Sequence, residues 1–409
     1  MLQGNRVYKK LLFILLISSA VYAQQSISLV SYNLLNYGSD TNREGYYRTI
    51  ISEMNPDLLV TQEMLNQTGV NNFVNNVLNY AANEYSAGNF IDGPDTDNAI
   101  FYRTALFNFV GNTSIPTGLR DINAYKIVYL PTNDTLVIYS VHLKASQGSS
   151  NEQQRLSEVN VLRQVTDNLP PNSDFIVCGD YNIYHSDEPA FQKLLDQSSP
   201  GYFLDPINLP GNWHNNILFA PYHTQSTRTR QFNGGADGGL DDRFDMILIS
   251  QAVSGPGGIE FDNYYFSFGN DGSHFNDSIN RMPNQAVSED VANALHYASD
   301  HLPVICKFKF EPVTRILSEN NNPQGFELKQ YPNPFNNSTV IEIVSPAAGQ
   351  AHIAIYNIRG QLIEFKELDL SPGTNRYHFN ADALSSDIYF CRVTTESGFV
   401  ITKKMILQK

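Results

Sequence analysis

The sequence predicts an α/β domain followed by a small all-β sandwich, and three observations carry that expectation. Apolar strand-like runs alternate with segments of helical spacing across residues 24–310. A polar stretch then breaks the pattern, and beyond it come short alternating runs divided by Gly and Pro turns. Six polar clusters each sit at one end of an apolar run: Tyr32-Asn33, Gln62-Glu63, Val141-His142, Gly179-Asp180-Tyr181-Asn182, Phe244-Asp245 and Ser299-Asp300-His301.

Taken in order, Asn33, Glu63, His142 and Asp180 follow the runs ISLV, LLVT, LVIYS and FIVC, whereas Asp245 and Asp300-His301 precede MILIS and LPVICKF. Strands of the first group running up and of the second running down bring all six clusters to one rim. Between them, Tyr46, Tyr47, Ile50, Ile51 and Met54 recur at helical spacing, as do Leu156, Val159, Leu162 and Val165. Ser186 is positioned to cap a third helix, with Pro189 in its first turn and Phe191, Leu194 and Leu195 beyond. These helices are expected on the outer faces of the sheets. Long loop-like stretches at 208–242 and 269–284 are the kind that carry function or ions.

The 409 residues suffice for two domains with a sizeable core, at 42% apolar and 17% charged. Arg6, Lys9 and Lys10 precede an apolar run at 11–20, and Val21-Tyr22-Ala23 fits cleavage after Ala23, so residues 1–23 read as a signal peptide. That run is too short to span a bilayer, and no later segment is apolar enough, so no integral membrane segment is expected in the mature chain. The expected divisions are a catalytic domain at 24–311, a linker at 312–327 around Asn320, Asn321, Asn322 and Pro323, and a β-sandwich at 328–409. Three cysteines, Cys178, Cys306 and Cys391, exclude a fully paired disulfide framework. Cys178 and Cys306 read as small buried apolar side chains, with one bridge between them left open. With 27 basic and 41 acidic residues the net charge is −14, which excludes binding by broad phosphate neutralisation. An enzyme that meets phosphate through a bound divalent ion remains compatible with it.

Asp180 and Asn182, two apart, point the same way in an extended segment. An Asx turn would explain that pair alone, but not its company of SYNLLN, TQE, VHLK, RFDMIL and SDHLPV. With CGDYN, this ordered set resembles the endonuclease/exonuclease/phosphatase superfamily, which includes pancreatic-type deoxyribonucleases, apurinic endonucleases, sphingomyelinases and inositol-phosphate phosphatases. The resemblance covers roughly residues 26–310 and implies a four-layered α/β/β/α sandwich. It implies that Asn33 and Glu63 bind metal, Glu63 most directly, and that Asp300 is a ligand or an acid behind one. Carboxylate and amide oxygens suit a hard cation, so Mg²⁺ is expected, with Mn²⁺ as a substitute. Asp180 and Asn182 match residues that orient water and phosphate, His301 the general base or proton shuttle, and Asp245 the acid that fixes its tautomer.

His142 stands where pancreatic-type nucleases and sphingomyelinases have histidine and apurinic enzymes have tyrosine. The glutamate that partners this histidine in pancreatic-type nucleases is absent ahead of Tyr102-Arg103, leaving Asp97 as the candidate. Arg228 and Arg230 read as solvated loop arginines, and the acidic clusters Asp92, Asp95, Asp97 and Asp237, Asp241, Asp242 as candidates to hold structural Ca²⁺. His185, His214, His223, His274 and His296 show no ligand-like grouping with one another.

The words YPNPFN, IYNIRG, DIYF and TKKMIL across residues 328–409 resemble the sorting domain of the type IX (Por) secretion system. That resemblance implies the secretion machinery as a partner and a secreted or cell-surface location. The expected function is an extracellular nuclease with nucleic acid as substrate. The alternatives are a sphingomyelinase-like phosphodiesterase, a small-molecule phosphatase, or a catalytically silent binding protein on the same scaffold.

Overall fold

The computed structural model describes residues 26–39, 42–255, 258–310, 326–358, 361–395 and 400–409. The expected signal peptide and most of the expected linker lie outside the described residues. The chain divides into two compact units, Met1–Val313 and Thr314–Lys409.

The first unit begins with β1 (Ser26–Tyr37), α1 (Glu44–Met54), β2 (Leu58–Met64), α2 (Gln67–Asn72), β3 (Tyr85–Ala87) and β4 (Asp97–Arg103). It continues with β5 (Phe107–Ile115), β6 (Ile122–Tyr129), β7 (Asp134–His142), α3 (Ser149–Thr166), β8 (Phe175–Asp180) and α4 (Pro189–Leu195). It closes with β9 (Phe203–Leu204), β10 (Asp245–Ser250), β11 (Ile259–Ser267), α5 (Glu289–Ala298) and β12 (Val304–Phe310). Two six-stranded sheets form, in the orders β11-β12-β1-β2-β4-β3 and β5-β6-β7-β8-β10-β9.

The side chains of β1 show why four layers result. Ile27 and Leu29 point between the sheets, where they meet Val60, Ile138, Ile176, Cys178 and Cys306. Val30 and Tyr32 point outward against Tyr47 and Ile50 of α1 and Leu295 of α5. On the far side, Leu162 of α3 and Phe191 and Leu194 of α4 cover Val177, Met246 and Leu248 of the second sheet. Strands buried on both faces need continuous apolar runs, which is what the sequence supplies there. Cys178 and Cys306 are free thiols inside this core.

Both helices expected before Ser186 form. The third starts at Pro189 as expected, but Ser186 does not cap it: the cap position is Glu188, and the Ser186 hydroxyl instead accepts from Gly211 N–H. Helices α2 and α5, and a π-helical segment over Phe73–Leu78, were not foreseen. For α5 the signal was present, since Ser288 accepts from Val291 N–H with Glu289 and Asp290 in the first turn.

The second unit is all antiparallel. Strands β13 (Glu327–Tyr331), β14 (Ser338–Ser345) and β17 (Gly373–Asn380) make one sheet; β15 (Gly349–Asn357), β16 (Leu362–Leu370), β18 (Asp387–Thr395) and β19 (Val400–Leu407) make the other. Ile341, Ile353, Phe379, Val393 and Met405 fill the core between them.

Buried arginines hold the strand ends that carry the polar clusters. Arg43 Nη1 donates to Leu34 O and Ala298 O, and the Tyr47 hydroxyl lies within hydrogen-bond distance of the same two carbonyls, which joins the chain after Asn33 to the chain before Asp300. Arg155 donates to Lys144 O and Ser146 O and pairs with Glu188, whose other oxygen accepts from Tyr184 N–H. That clamp joins the segments leaving His142 and Asn182. Arg243 meets Asp205 through both Nη atoms at 2.9 and 3.0 Å, just ahead of Asp245. Glu188→Ala strands the fully buried Arg155 charge, so chemical denaturation is expected to show a loss of about 3–5 kcal/mol; a loss under about 1 kcal/mol would contradict the clamp.

Candidate active site

The six clusters meet at one rim, and strand pairing brings them there. Parallel β1 and β2 align Asn33 with Gln62, and parallel β7 and β8 align His142 with Asp180. Antiparallel β10 sets Asp245 opposite Asp180, and β12, antiparallel to β1, begins just after Asp300-His301. Gly179 precedes Asp180 because a Cβ there would fall 1.9 Å from Val141 O, at φ +142°. Glu63 itself adopts φ +59°, a left-handed conformation unfavourable for a long side chain and held here by its surroundings.

One atom collects most of the contacts. Asp180 Oδ2 accepts from Asn33 Nδ2 at 3.2 Å and lies 3.5 Å from His142 Nε2 and 3.7 Å from His301 Nε2. Asn33 Nδ2 also donates to Glu63 Oε1 at 3.1 Å, and Asn36 N–H donates to Glu63 Oε2. Asn182 N–H donates to Asp180 Oδ1, and one amide hydrogen of Asn182 goes to Leu143 O. His301 Nδ1 lies 2.7 Å from Asp245 Oδ2, which fixes the ring as a donor on that side. Asp300 Oδ2 accepts from Ala236 N–H at 2.6 Å, while its Oδ1 is buried without a partner. Gly235 covers this carboxyl so closely that a Cβ would come within 2.7 Å of it.

All eight expected residues are therefore in this one region, all of them buried except Glu63, which is partly exposed. Asp97 is not seen against His142: its Oδ1 accepts from Gly93 N–H, and His142 Nδ1 has no partner. Arg228 is fully buried and donates to Phe232 O, contrary to the solvated arginine expected. Three neighbours were missed. Gln225 Nε2 sits 2.6 Å from His301 Nε2, with donor and acceptor roles set by tautomer and amide orientation. Ser299 Oγ donates to Asn33 O, tying two clusters together. Arg120 donates to Leu143 O and pairs with Asp95. Gln225 and Arg120 come from loops whose pairing depends on tertiary context and no local pattern marks them, whereas Ser299 stands in the cluster Ser299-Asp300-His301 and only its bond to Asn33 was unforeseen.

The charge balance is lopsided. Among the described residues no lysine or arginine forms an ion pair with Glu63, Asp180, Asp245 or Asp300. Burial pushes Asp180 up to about 7, reinforced by Asp245 and Glu63 and opposed by His301. Burial and Asp300 also raise Glu63. Burial disfavours charge on His301, but Asp245, Asp180 and Asp300 outweigh it and hold the imidazolium well above the usual range. His142 is driven well below that range by burial, Arg120 and His301. Buried oxygen donors short of positive charge, one of them an orphaned Asp300 oxygen, fit a hard divalent ion.

The upward shift of Asp180 makes stability depend on pH. Its folded value of about 7 exceeds its ordinary 3.8, so without metal its stabilising contribution is present below pH 3.8 and is lost as pH rises through about 7. In chelator, Asp180→Asn is expected to gain stability over the parent progressively between those values, by chemical denaturation; a pH-independent difference would contradict the assignment.

Comparison with known proteins follows the same lines. Residues 30–301 match the model of the Endonuclease/Exonuclease/phosphatase family, and residues 329–408 that of the Secretion system C-terminal sorting domain. No curated protein matches. Similar solved structures include D. rerio TDP2 complexed with single strand DNA product, at 17% identity and TM-score 0.49, covering 70% of this chain and 99% of that one. A Bacteroides thetaiotaomicron endonuclease/exonuclease/phosphatase family protein follows at 16%, TM-score 0.46, covering 71% and 100%. A mannosyl-6-phosphatase of Bacteroides thetaiotaomicron reaches 17% and 0.45, covering 69% and 100%. At these values the solved structures carry no argument about substrate. No helix among the described residues is long and apolar enough to cross a membrane. The sorting domain marks the chain for export by the type IX secretion system to the cell surface or beyond, and the chain belongs to the endonuclease/exonuclease/phosphatase family of phosphoester hydrolases.

Proposed function

We propose that the chain is a secreted, divalent-metal-dependent phosphodiesterase that degrades nucleic acid outside the cell. The observation that supports this reading is the meeting of Asn33, His142 and His301 at one oxygen of Asp180. Asn33, Glu63 and Asp300 are the residues that would hold Mg²⁺ or Mn²⁺, which when bound supplies positive charge to the non-bridging oxygens of the phosphate.

The chain's own groups do the rest. Asp180, its Oδ1 held by Asn182 N–H, orients a water, and the second amide hydrogen of Asn182 remains free for a phosphate oxygen. The water oxygen bonds to phosphorus as the opposite P–O bond to the leaving alcohol breaks in line. The water's proton passes to the Asp180 carboxylate, which a bound cation would keep ionised, and the charged His301 beside it, held through Nδ1 by Asp245, gives a proton to the leaving oxygen and takes up the one on Asp180. His142, kept uncharged by burial, packs its Nε2 against Asp180 and Glu63.

A second reading, hydrolysis of a phospholipid headgroup, draws on Ile217 and Leu218, which are 65% and 81% exposed. Trp213, the only tryptophan, is fully buried and is no anchor for such a surface. The test is purified protein with Mg²⁺ or Mn²⁺ on plasmid DNA, RNA, sphingomyelin liposomes and bis-p-nitrophenyl phosphate. Nucleic acid cleavage that EDTA abolishes, and that His301→Ala lowers by roughly 10²–10⁴-fold, is expected. Cleavage of sphingomyelin alone would favour the second reading, and inertness on all four substrates would overturn both.

A further inference from the structure

Outside the reacting centre, the described residues bring together one more set of ligand-type side chains. His214 Nδ1 and carboxylate oxygens of Asp241 and Asp242 all lie within 4.8 Å of one another. His214 Nδ1 is 2.8 Å from Asp242 Oδ1 and 4.0 Å from Asp241 Oδ2. Its spacing in sequence, 27 and 28 residues before those acids, gives no local motif.

Backbone pairing places this set relative to the active site. Gln225 forms antiparallel bridges with both Asp242 and His301. Partners across such a bridge project on one face, and Gln225 Nε2 does reach His301 Nε2. His301, Gln225, Asp242 and His214 thus form a polar row, with Asp242 about two strand spacings, roughly 10 Å, from His301. The edge of the Tyr184 or His214 ring meets the other's face, with centroids 5.3 Å apart, closing one side of the set.

The set also lacks positive charge. The Asp242 side chain is only 8% exposed, and its Oδ1 accepts from His214 Nδ1, the one hydrogen bond to this carboxylate among the described residues. Among the described residues neither acid forms an ion pair with a lysine or arginine. Burial and Asp241 push Asp242 up to about 7, the behaviour of a carboxylate in want of a cation.

We propose that His214, Asp241 and Asp242 form a second divalent-cation site beside the hydrolytic centre and separate from the one at Glu63. One imidazole and two carboxylates suit Mn²⁺ or Zn²⁺ better than Mg²⁺. The His214 side chain is 35% exposed, so coordination positions stay open for water or for a phosphate oxygen of a bound ester. This site goes beyond the hydrolytic reading and does not depend on it.

The test counts Mn²⁺ bound to the full chain after chelator treatment, by electron paramagnetic resonance of the free ion. The parent is expected to bind one ion more than His214→Ala and one more than Asp242→Asn. Equal binding by the parent and both variants overturns the proposal. Because His214 is a partly exposed side chain, its truncation leaves no core cavity, and an unchanged thermal midpoint confirms that the variant folds. Glu63→Gln serves as a separate arm: its failure to lose an ion would count against the hydrolytic centre while leaving the second site standing.

Discussion

The structure depends on one electrostatic constraint, the gathering of four carboxylates at one rim where, among the described residues, histidines are the only ionic partners. Such an arrangement is costly in a folded protein, because each buried charge loses its hydration and like charges repel. The chain meets that cost in three ways. Asn33 and backbone N–H groups donate to Glu63 and Asp180, His301 is held in its charged form between Asp180 and Asp245, and burial shifts Asp180 toward its protonated form. A bound divalent ion would complete the balance, which is why the acids and the proposed reaction belong to the same account.

The scaffold explains how that arrangement persists. Two sheets pressed together give β1, β2, β7, β8, β10 and β12 a shared rim, and most of these strand ends are held by groups outside the sheet. Arg43 and Tyr47 fix the Asn33 and Asp300 ends, Arg155 with Glu188 fixes the His142 and Asn182 ends, and Arg243 with Asp205 precedes Asp245. Ser299, bonded to Asn33 O, adds a direct tie. These buried contacts hold the site's geometry, and the positive φ of Glu63 is met by hydrogen bonds from Asn33 and Asn36 N–H to its carboxylate.

Much of this was legible in the sequence, for a physical reason. Strands buried on both faces demand unbroken apolar runs, and polar words at the ends of such runs can only mark the rim, so Asn33, Glu63, His142, Asp180, Asp245 and His301 could be placed without coordinates. What was not legible came from irregular backbone. Gln225 reaches His301 through isolated bridges, His214 finds Asp242 across a loop, and Arg228 turns inward, none of which leaves a periodic trace. The Ser186 cap failed because a competing partner, Gly211 N–H, was invisible to local spacing. The Asp97 assignment failed because it rested on proximity in sequence, whereas that carboxylate faces Gly93.

The central claim is that Glu63 and Asp180 share one cation-dependent centre with His301. Anomalous X-ray diffraction from crystals soaked in Mn²⁺ tests it most directly. The expected result is a peak within bonding distance, about 2.0–2.3 Å, of a Glu63 oxygen and on the Asp180 side of the site. A fully soaked crystal with no peak there would contradict the account.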